Sequence, residues 1–175
     1  FCVRNITKIV IPDFITHISS YAFNGCNHLQ RIEISNDSKL QTIDKYAFAR
    51  LPIQSIFIPS QVTEIGENTF KWCKNLREIK FSIDSKLQKI GRGAFAFSSI
   101  EKIIIPSSVT QIGIYSFCGC SKLQQVEILN DSKLQTIDEY AFTESSIQSI
   151  LIPQHVAQIG KRSFYKCLQL QKIGI

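Results

Sequence analysis

The chain reads DSKLQTIDEYAF from Asp131 to Phe142 and DSKLQTIDKYAF from Asp37 to Phe48. A looser third copy, DSKLQKIGRGAF, lies between them from Asp84 to Phe95. The three copies start 47 residues apart, and a fixed period of this kind is the signature of a repeat architecture. The same spacing of 47 separates the members of four further series: Pro12, Pro59, Pro106 and Pro153; Phe23, Phe70, Phe117 and Phe164; Leu29, Leu76, Leu123 and Leu170; Cys26, Cys73, Cys120 and Cys167.

Each period divides into a short unit of 23 residues and a long unit of 24, and the long unit carries an NDSK-type insertion. We therefore predict a single repeat array over residues 1–175. Neither end offers the polar cap that covers the terminal core of a solenoid, so we expect a fragment of a longer protein. The array is predicted to contain a partial unit, 1–11, followed by seven complete units: 12–34, 35–58, 59–81, 82–105, 106–128, 129–152 and 153–175.

Every complete unit contains a segment with the pattern apolar-x-x-apolar-x-apolar, such as LQRIEI at Leu29 or IQSIFI at Ile53. Its last three residues alternate as in a β-strand. One such strand cannot bury its inner face alone, whereas strands that recur at a fixed interval can stack in parallel. The sequence predicts one long parallel sheet, with short turns or 3-10 or helical segments returning the chain. The phenylalanines, including Phe1, are expected to form an inner spine of rings.

The pattern C-x-x-L-x-x-I-x-I-P-x-x-V-x-x-I-G-x-x-x-F, carried by Cys73, Leu76, Ile79, Phe81, Val109 and their equivalents, resembles the BspA-like, or treponemal-type, leucine-rich repeat. The long units depart from it, because they lack the cysteine and carry the insertion. The resemblance covers essentially the whole chain and implies a right-handed, curved solenoid with the parallel sheet on its concave face. It also implies a cell-surface or secreted protein of a bacterium or protozoan parasite, commonly one that adheres to host cells, matrix proteins or other microbes.

The third and fifth residues of each strand segment are predicted to face solvent on the concave side. At the fifth position, an apolar residue recurs in every second strand and alternates with a charged one. We take this surface as the candidate ligand-binding site, although β-branched and aromatic residues also suit a strand without any ligand. Its members are the apolar Val10, Phe57, Ile104 and Leu151, the charged Glu33, Lys80 and Glu127, and the third-position Lys8, Arg31, Glu78 and Lys102.

The expected function is a non-catalytic binding and adhesion module for a protein or glycan. The partner is expected on a host cell or in the extracellular matrix. The alternative is an architectural spacer or a self-association array, in which the partner is a second copy of the chain. The excess of 20 Lys and Arg over 14 Asp and Glu is scattered, so no nucleic-acid partner is expected. No run of eighteen apolar residues occurs, so no membrane span is expected either.

Neither catalysis nor a cofactor is indicated by the polar residues. His17, His28 and His155 fall in three different columns of the repeat and none accompanies a Ser or Cys nucleophile. Asp37, Asp84 and Asp131 lie two units apart, too far to share a calcium ion, and are predicted to close Asx-type turns at the insertion.

The four cysteines of the repeat column also lie two units apart, about 9.6 Å at about 4.8 Å per strand, beyond the roughly 7 Å that a disulfide spans. We expect them to be buried thiols that donate weakly to a turn backbone. Cys118 falls in a variable column and is predicted to be exposed, while the redox state of Cys2 stays open. A zinc site at Cys118-x-Cys120 would lack two ligands.

Three N-glycosylation sequons begin at Asn5, Asn36 and Asn130. The last two lie on the insertion, where Asn and Asp are also good turn formers. Glycosylation is expected only if the chain is secreted, and Asn5, which abuts a strand, is the weaker candidate.

Overall fold

A computed structural model describes residues 5–174, so the predictions for Phe1 and Cys2 lie outside the described residues. The described chain alternates long strands, which carry odd numbers, with two-residue strands, which carry even numbers, and contains no helix. The strands in chain order are β1 Lys8–Ile11, β2 His17–Ile18, β3 Arg31–Ile34, β4 Thr42–Ile43, β5 Ser55–Ile58, β6 Glu64–Ile65, β7 Glu78–Phe81, β8 Lys89–Ile90, β9 Lys102–Ile105, β10 Gln111–Ile112, β11 Gln125–Ile128, β12 Thr136–Ile137, β13 Ser149–Leu151, β14 Gln158–Ile159 and β15 Lys172–Gly174.

All strand pairs are parallel and in register from turn to turn, as in Ile9 opposite Ile32. In the central long strands the second and fourth residues point inward, for example Ile103 and Ile105 of β9, because the side chains of a strand alternate between its faces. This parallel solenoid confirms the predicted leucine-rich repeat fold. The unit boundaries themselves stay a prediction.

The long strands do not form the one continuous sheet that was predicted. They pair as β1 with β3, β5 with β7, and β9 through β11 and β13 to β15. Pairs separated by a 23-residue turn, such as β5 and β7, are in register over their length, whereas β3 and β5 or β7 and β9, separated by 24 residues, form no ladder. The third 24-residue junction, β11 with β13, keeps a single paired position, Gln125 opposite Ser149. The insertion therefore loosens the long-strand ladder at every second junction.

The short strands form a second parallel sheet that the sequence did not predict. Its order runs without interruption from β2 to β14. The second residue of each central short strand is a buried isoleucine, such as Ile43 or Ile65, so this sheet closes another side of the core. Two-residue strands are too short for an alternating pattern to reveal them.

A third hydrogen-bonded strip runs through the turns, from two residues before each spine phenylalanine to two residues after it, and we call it the turn ladder. In the unit of Phe70, the amides of Asn68, Phe70 and Trp72 donate to carbonyls of the next turn at 2.7–2.9 Å. The residues two before and two after the phenylalanine have positive φ, 54° at Asn68 and 60° at Trp72. Because left-handed residues alternate in this strip with residues of ordinary φ, every second amide points toward the next turn. Eleven described residues other than glycine adopt this uncommon conformation.

The predicted phenylalanine spine is present within the described residues. Seven rings stack from Phe23 to Phe164, with successive centroids 5.2–5.6 Å apart. The five central rings are fully buried, which makes this column the centre of the core.

The cysteine column agrees with the prediction at Cys73 and Cys120, which are buried, while Cys167 makes the predicted hydrogen bond but is only partly buried. The thiols of Cys73, Cys120 and Cys167 donate to the carbonyl of the spine phenylalanine in the preceding turn, at 3.0–3.1 Å. Cys26 differs, because it is disulfide-bonded and its partner lies outside the described residues, so the thiol predicted there is wrong. The spacing argument excluded bridges within the column but could not exclude one from another column. The predicted exposure of Cys118 is also wrong, since its side chain is buried.

The turns at the insertion are closed by serine and not by aspartate as predicted. The hydroxyl oxygens of Ser38, Ser85 and Ser132 accept the amide hydrogen bond of the leucine two residues later, at 3.1–3.3 Å. Ser-based turns of this kind are the weaker counterpart of Asx turns. Asp84 instead accepts a hydrogen bond from the Ser82 hydroxyl, and this bond is the main reason why its pKa lies below its usual value.

Candidate functional site

The predicted site residues lie on one surface, formed by the outward side chains of the long strands, which we call the long-strand face. Within each group of paired strands the register places them in two columns, with Lys8 opposite Arg31 and Val10 opposite Glu33. The same arrangement recurs with Ile104 opposite Glu127. The structure therefore brings the eleven predicted residues onto a common face, and the interruptions of the ladder divide that face into three parts.

The apolar members of this face differ in accessibility. Val10 is 58% exposed, Leu151 56% and Ile104 44%, whereas Phe57 is half-buried. The alternation ends at β15, where Gly174 occupies the position opposite Leu151. Along the array, one charged residue separates each apolar side chain of this column, exposed or half-buried, from the next.

The charged members are largely paired with one another. Glu33 accepts contacts from Lys8 Nζ at 2.9 Å and from Arg31 Nε at 2.7 Å. The hydrogen bond from Lys8, assisted by the charge of Arg31, holds the pKa of Glu33 below its usual value. Lys80 and Glu78 lie 3.4 Å apart, as do Lys102 and Glu127. These exposed pairs add little stability, but they fix the positions of charge around the apolar side chains.

Two shallow grooves lie on the long-strand face. One, of about 570 Å³, is lined by β3 and β5 together with Lys80. The other, of about 450 Å³, is lined by β11 and β13, Lys102 and the turn at Asn130. Both lie at junctions between a short and a long unit, where strand pairing is absent or reduced to one position.

The predicted sequon asparagines lie apart from this face or at its margin. Asn36 and Asn130 are exposed on turns that follow β3 and β11, and Asn5 is exposed ahead of β1. The third copy of the insertion has Ile83 at the equivalent position, fully exposed to solvent.

Residues 5–174 show no cluster of three or more side chains able to hold a metal ion. The same residues form no helix long and apolar enough to cross a membrane. His17 contacts Asp44 at 3.1 Å and Thr42 on the short-strand face, whereas no described contact joins it to the other histidines.

The sequence reasoning also missed a surface groove on the turns. It lies on the turn ladder, has a volume of about 420 Å³, and is lined in part by Asn68, Lys71, Arg92 and Tyr115. Nearby, Trp72 stacks on Phe97 and carries Arg50 over its ring at 4.4 Å. The sequence shows Gly93 between Tyr46 and Tyr115 in one column, but only the backbone conformation shows that this column lines the groove.

The parallel solenoid and its outward strand columns define a leucine-rich repeat module, a class that typically has no catalytic activity. The BspA type leucine rich repeat region, a family of six repeat copies, matches residues 1–124 and 88–175. The chain belongs to this family. A comparison with curated protein sequences gave no significant match.

Solved structures with the same fold include a leucine rich cell surface protein from Faecalibacterium prausnitzii A2-165, 26% identical, with a TM-score of 0.60. The match covers 97% of this chain and 47% of that protein, so this chain spans about half the length of its relative. A leucine-rich repeat protein from T. pallidum is 18% identical over 96% of this chain and 69% of its own, with a TM-score of 0.52, and supports the fold alone.

Proposed function

We propose that this chain is a non-catalytic binding module that attaches a cell-surface or secreted protein to a protein or glycan partner through its long-strand face. The observation that carries the proposal is the row of exposed apolar side chains, Val10, Ile104 and Leu151, set among paired charges. Apolar anchors surrounded by a polar rim are the usual anatomy of a recognition surface. A host cell or the extracellular matrix is the expected source of the partner.

Two observations support a location outside the cytoplasm. The F. prausnitzii relative is described as a cell surface protein. Cys26 is disulfide-bonded, and disulfides persist mainly in oxidising compartments. Glycosylation at the exposed Asn36 and Asn130, or at Asn5, would accompany passage through a secretory pathway that carries out this modification. Mass spectrometry of the protein from its native source tests this part, and unmodified asparagines would remove glycosylation from the proposal.

The binding test uses a panel of immobilised matrix proteins and glycans, with Ile104→Ser and Leu151→Ser as variants. We expect both variants to lose about tenfold or more in affinity for any partner that the unmodified chain binds. Ile83→Ser is the matched control, because Ile83 is fully exposed but lies on the insertion and not on the long-strand face. Equal binding by all three variants would overturn the proposed face. Far-ultraviolet circular dichroism checks that each variant is folded.

The alternative function, a spacer or a self-association array, is favoured by the same apolar row if the row packs against a second copy. Light scattering over a range of concentrations separates these cases. A mass that rises with concentration and falls on Leu151→Ser indicates self-association, whereas a constant monomer without any partner in the panel indicates a spacer.

A further inference from the structure

The groove on the turn ladder has the chemistry of a second binding site, on a different surface from the long-strand face. The column two residues before the spine phenylalanines contains two pairs of stacked tyrosines: Tyr21 with Tyr46 at 5.0 Å, and Tyr115 with Tyr140 at 4.9 Å. Between the two pairs the column holds Asn68 and Gly93. Gly93 has no side chain, so the stack of rings is interrupted there by a slot one residue wide, into which the Asn68 amide oxygen projects.

The floor of this slot is formed by small residues. Gly93 and Ala96, from the same unit, both line the groove and both are buried. On one side stand Asn68 and Lys71 from the preceding unit, and on the other stands Tyr115 from the following unit. Two units are separated by about 9.6 Å at about 4.8 Å per turn, which is enough for one flat ring between them.

The slot is flanked by two cations that have no carboxylate partner among residues 5–174. Arg92 lies over the Tyr115 ring at 5.4 Å, and Lys71 lies over the Trp72 ring at 4.7 Å. By contrast, most of the side chains that form ion pairs lie on the strand faces. Arg92 and Lys71 therefore offer unpaired donors at the mouth of the slot, suited to a carboxylate.

Hydrogen-bond acceptors complete the lining. The Asn68 amide nitrogen donates to the Tyr46 hydroxyl at 3.0 Å and to Glu67 Oε1 at 2.9 Å, which fixes the amide so that its oxygen faces the Gly93 position. This oxygen receives no hydrogen bond from the described residues. Together with the exposed Glu67 carboxylate, it can accept hydrogen bonds from hydroxyl groups.

We infer that this slot binds an acidic sugar, meaning a ring with hydroxyl groups and one carboxylate, such as a sialic or uronic acid at the end of a glycan. Its ring would lie over Gly93 and Ala96, its carboxylate would contact Arg92 and Lys71, and its hydroxyls would donate to Asn68 and Glu67. The Glu67 carboxylate argues against a phosphate-rich ligand such as a nucleic acid, because it would repel the second and third negative charges. A few convergent polar groups beside an aromatic ring are typical of small-ligand sites.

The variant that tests the slot is Gly93→Tyr. The column already accepts tyrosine with the same backbone, since φ is 58° at Gly93, 56° at Tyr46 and 57° at Tyr115. An added Cβ would lie 2.4 Å from Asn68 Oδ1, so the Asn68 amide would have to turn away and give up its hydrogen bonds to Tyr46 and Glu67. Gly93→Tyr is therefore expected to fill the slot without disrupting the fold. The thermal unfolding midpoint of the variant checks that the fold is kept. Lys71→Gln together with Arg92→Gln removes the cations, and Lys133→Gln on an insertion is the matched charge control.

Amide chemical shifts of isotope-labelled protein would be followed on titration with sialyllactose, with a hyaluronan oligosaccharide as a second acidic sugar and lactose as the neutral control. We expect saturable shifts at Asn68, Gly93 and Tyr115 with at least one acidic sugar and none with lactose. Gly93→Tyr and the Lys71→Gln/Arg92→Gln pair should each weaken binding at least about tenfold, whereas Lys133→Gln should not.

The inference is overturned if lactose binds as well as the acidic sugars, if Gly93→Tyr binds unchanged, or if neither acidic sugar shifts these amides at millimolar concentration. Shifts confined to the long-strand face would also overturn it while supporting a glycan as the partner of that face. Because Ile104→Ser and Leu151→Ser leave the slot intact, loss of the long-strand site and loss of the slot are separate results.

Discussion

Two columns of the same turn differ in how strictly their residues are kept. The spine position is phenylalanine in every turn from Phe23 to Phe164, while the position two residues later varies throughout. Both columns donate the same backbone hydrogen bonds to the next turn. The backbone therefore does not require a particular side chain, and packing in the interior fixes the spine. The variable column reads Gly25, Arg50, Trp72, Phe97, Gly119, Glu144 and Lys166.

The difference also shows where conformational strain is placed. The spine residues bury their rings, and the flanking residues adopt positive φ so that alternate amides reach the next turn. A left-handed residue other than glycine costs roughly 1–2 kcal/mol. Burial of the rings and the three ladders must offset this cost in each turn. The variable column is thus free in side chain but not in backbone.

Replacing a central spine residue is expected to have the largest effect on stability. Phe117→Ala removes a fully buried ring that stacks on Phe95 and Phe142, at 5.3 and 5.2 Å. We expect a loss of about 3–5 kcal/mol in the free energy of unfolding, measured by urea denaturation. Phe57→Ala, at a half-buried position of the long-strand face, is the control and should lower the free energy of unfolding much less. Similar losses for both would contradict the separation between spine and surface.

The buried thiols predict a specific loss of stability at alkaline pH. Burial raises the pKa of Cys73 and of Cys120 to about 12, from 9.0 in the unfolded chain. Below pH 9 both states keep the proton, whereas above it the unfolded state releases a proton that the folded state holds. Stability is therefore fully present below about pH 9 and is lost as pH rises toward 12, by about 1–2 kcal/mol per thiol near pH 10.5.

Urea denaturation at pH 8 and pH 10.5 measures this effect. Tyrosines and lysines also titrate in that range, so the informative quantity is the difference from a Cys73→Ala/Cys120→Ala variant. That variant should lose less stability between the two pH values than the unmodified chain. An equal loss in both would show that the two thiols do not contribute.

Glycines of the variable column separate side-chain packing from backbone strain. A Cβ added at Gly119 would lie 2.4 Å from the Phe97 ring, whereas one at Gly25 would meet no atom within 4 Å. Both have positive φ, 66° and 79°. Gly119→Ala should therefore cost about 1–3 kcal/mol more than Gly25→Ala, because only the first forces the stacked ring to move. Equal melting temperatures of the two variants would show that the ring adjusts freely.

The sequence predicted the interior well and the turn surface poorly. The spacing of 47 predicted the spine of rings, because a residue type that recurs at the period of the repeat occupies the same place in every turn, and strand alternation predicted which apolar residues point inward. It could not predict the turn ladder, since residues as different as Tyr46, Asn68 and Gly93 adopt the same left-handed backbone. The sequence also predicted the long-strand face, but not the interruptions of the long-strand ladder. One extra residue in a turn changes the hydrogen-bond geometry between strands and leaves the hydrophobic pattern unchanged.

The smallest expected effect tests the strain in the variable column directly. Glu144 has a φ of 59° and pairs with Lys166 at 3.3 Å on the surface. The equivalent residue is Gly119 in the preceding turn and Phe97 in the turn before that. Glu144→Gly removes both the ion pair and the Cβ, whereas Glu144→Ala removes the ion pair but keeps the Cβ. The exposed ion pair contributes less than about 1 kcal/mol and cancels in the comparison of the two variants.

Glu144→Gly is therefore expected to be more stable than Glu144→Ala by about 1 kcal/mol, a shift that thermal unfolding of the two variants in parallel resolves. This sign is opposite to the usual one, because glycine in place of alanine normally destabilises a regular element through the entropy of the unfolded chain. Ala49→Gly, in the same ladder at a position without positive φ, should show that normal destabilisation. If Glu144→Gly also destabilised relative to Glu144→Ala, the left-handed backbone would carry no strain there, and the spine would not need to offset any.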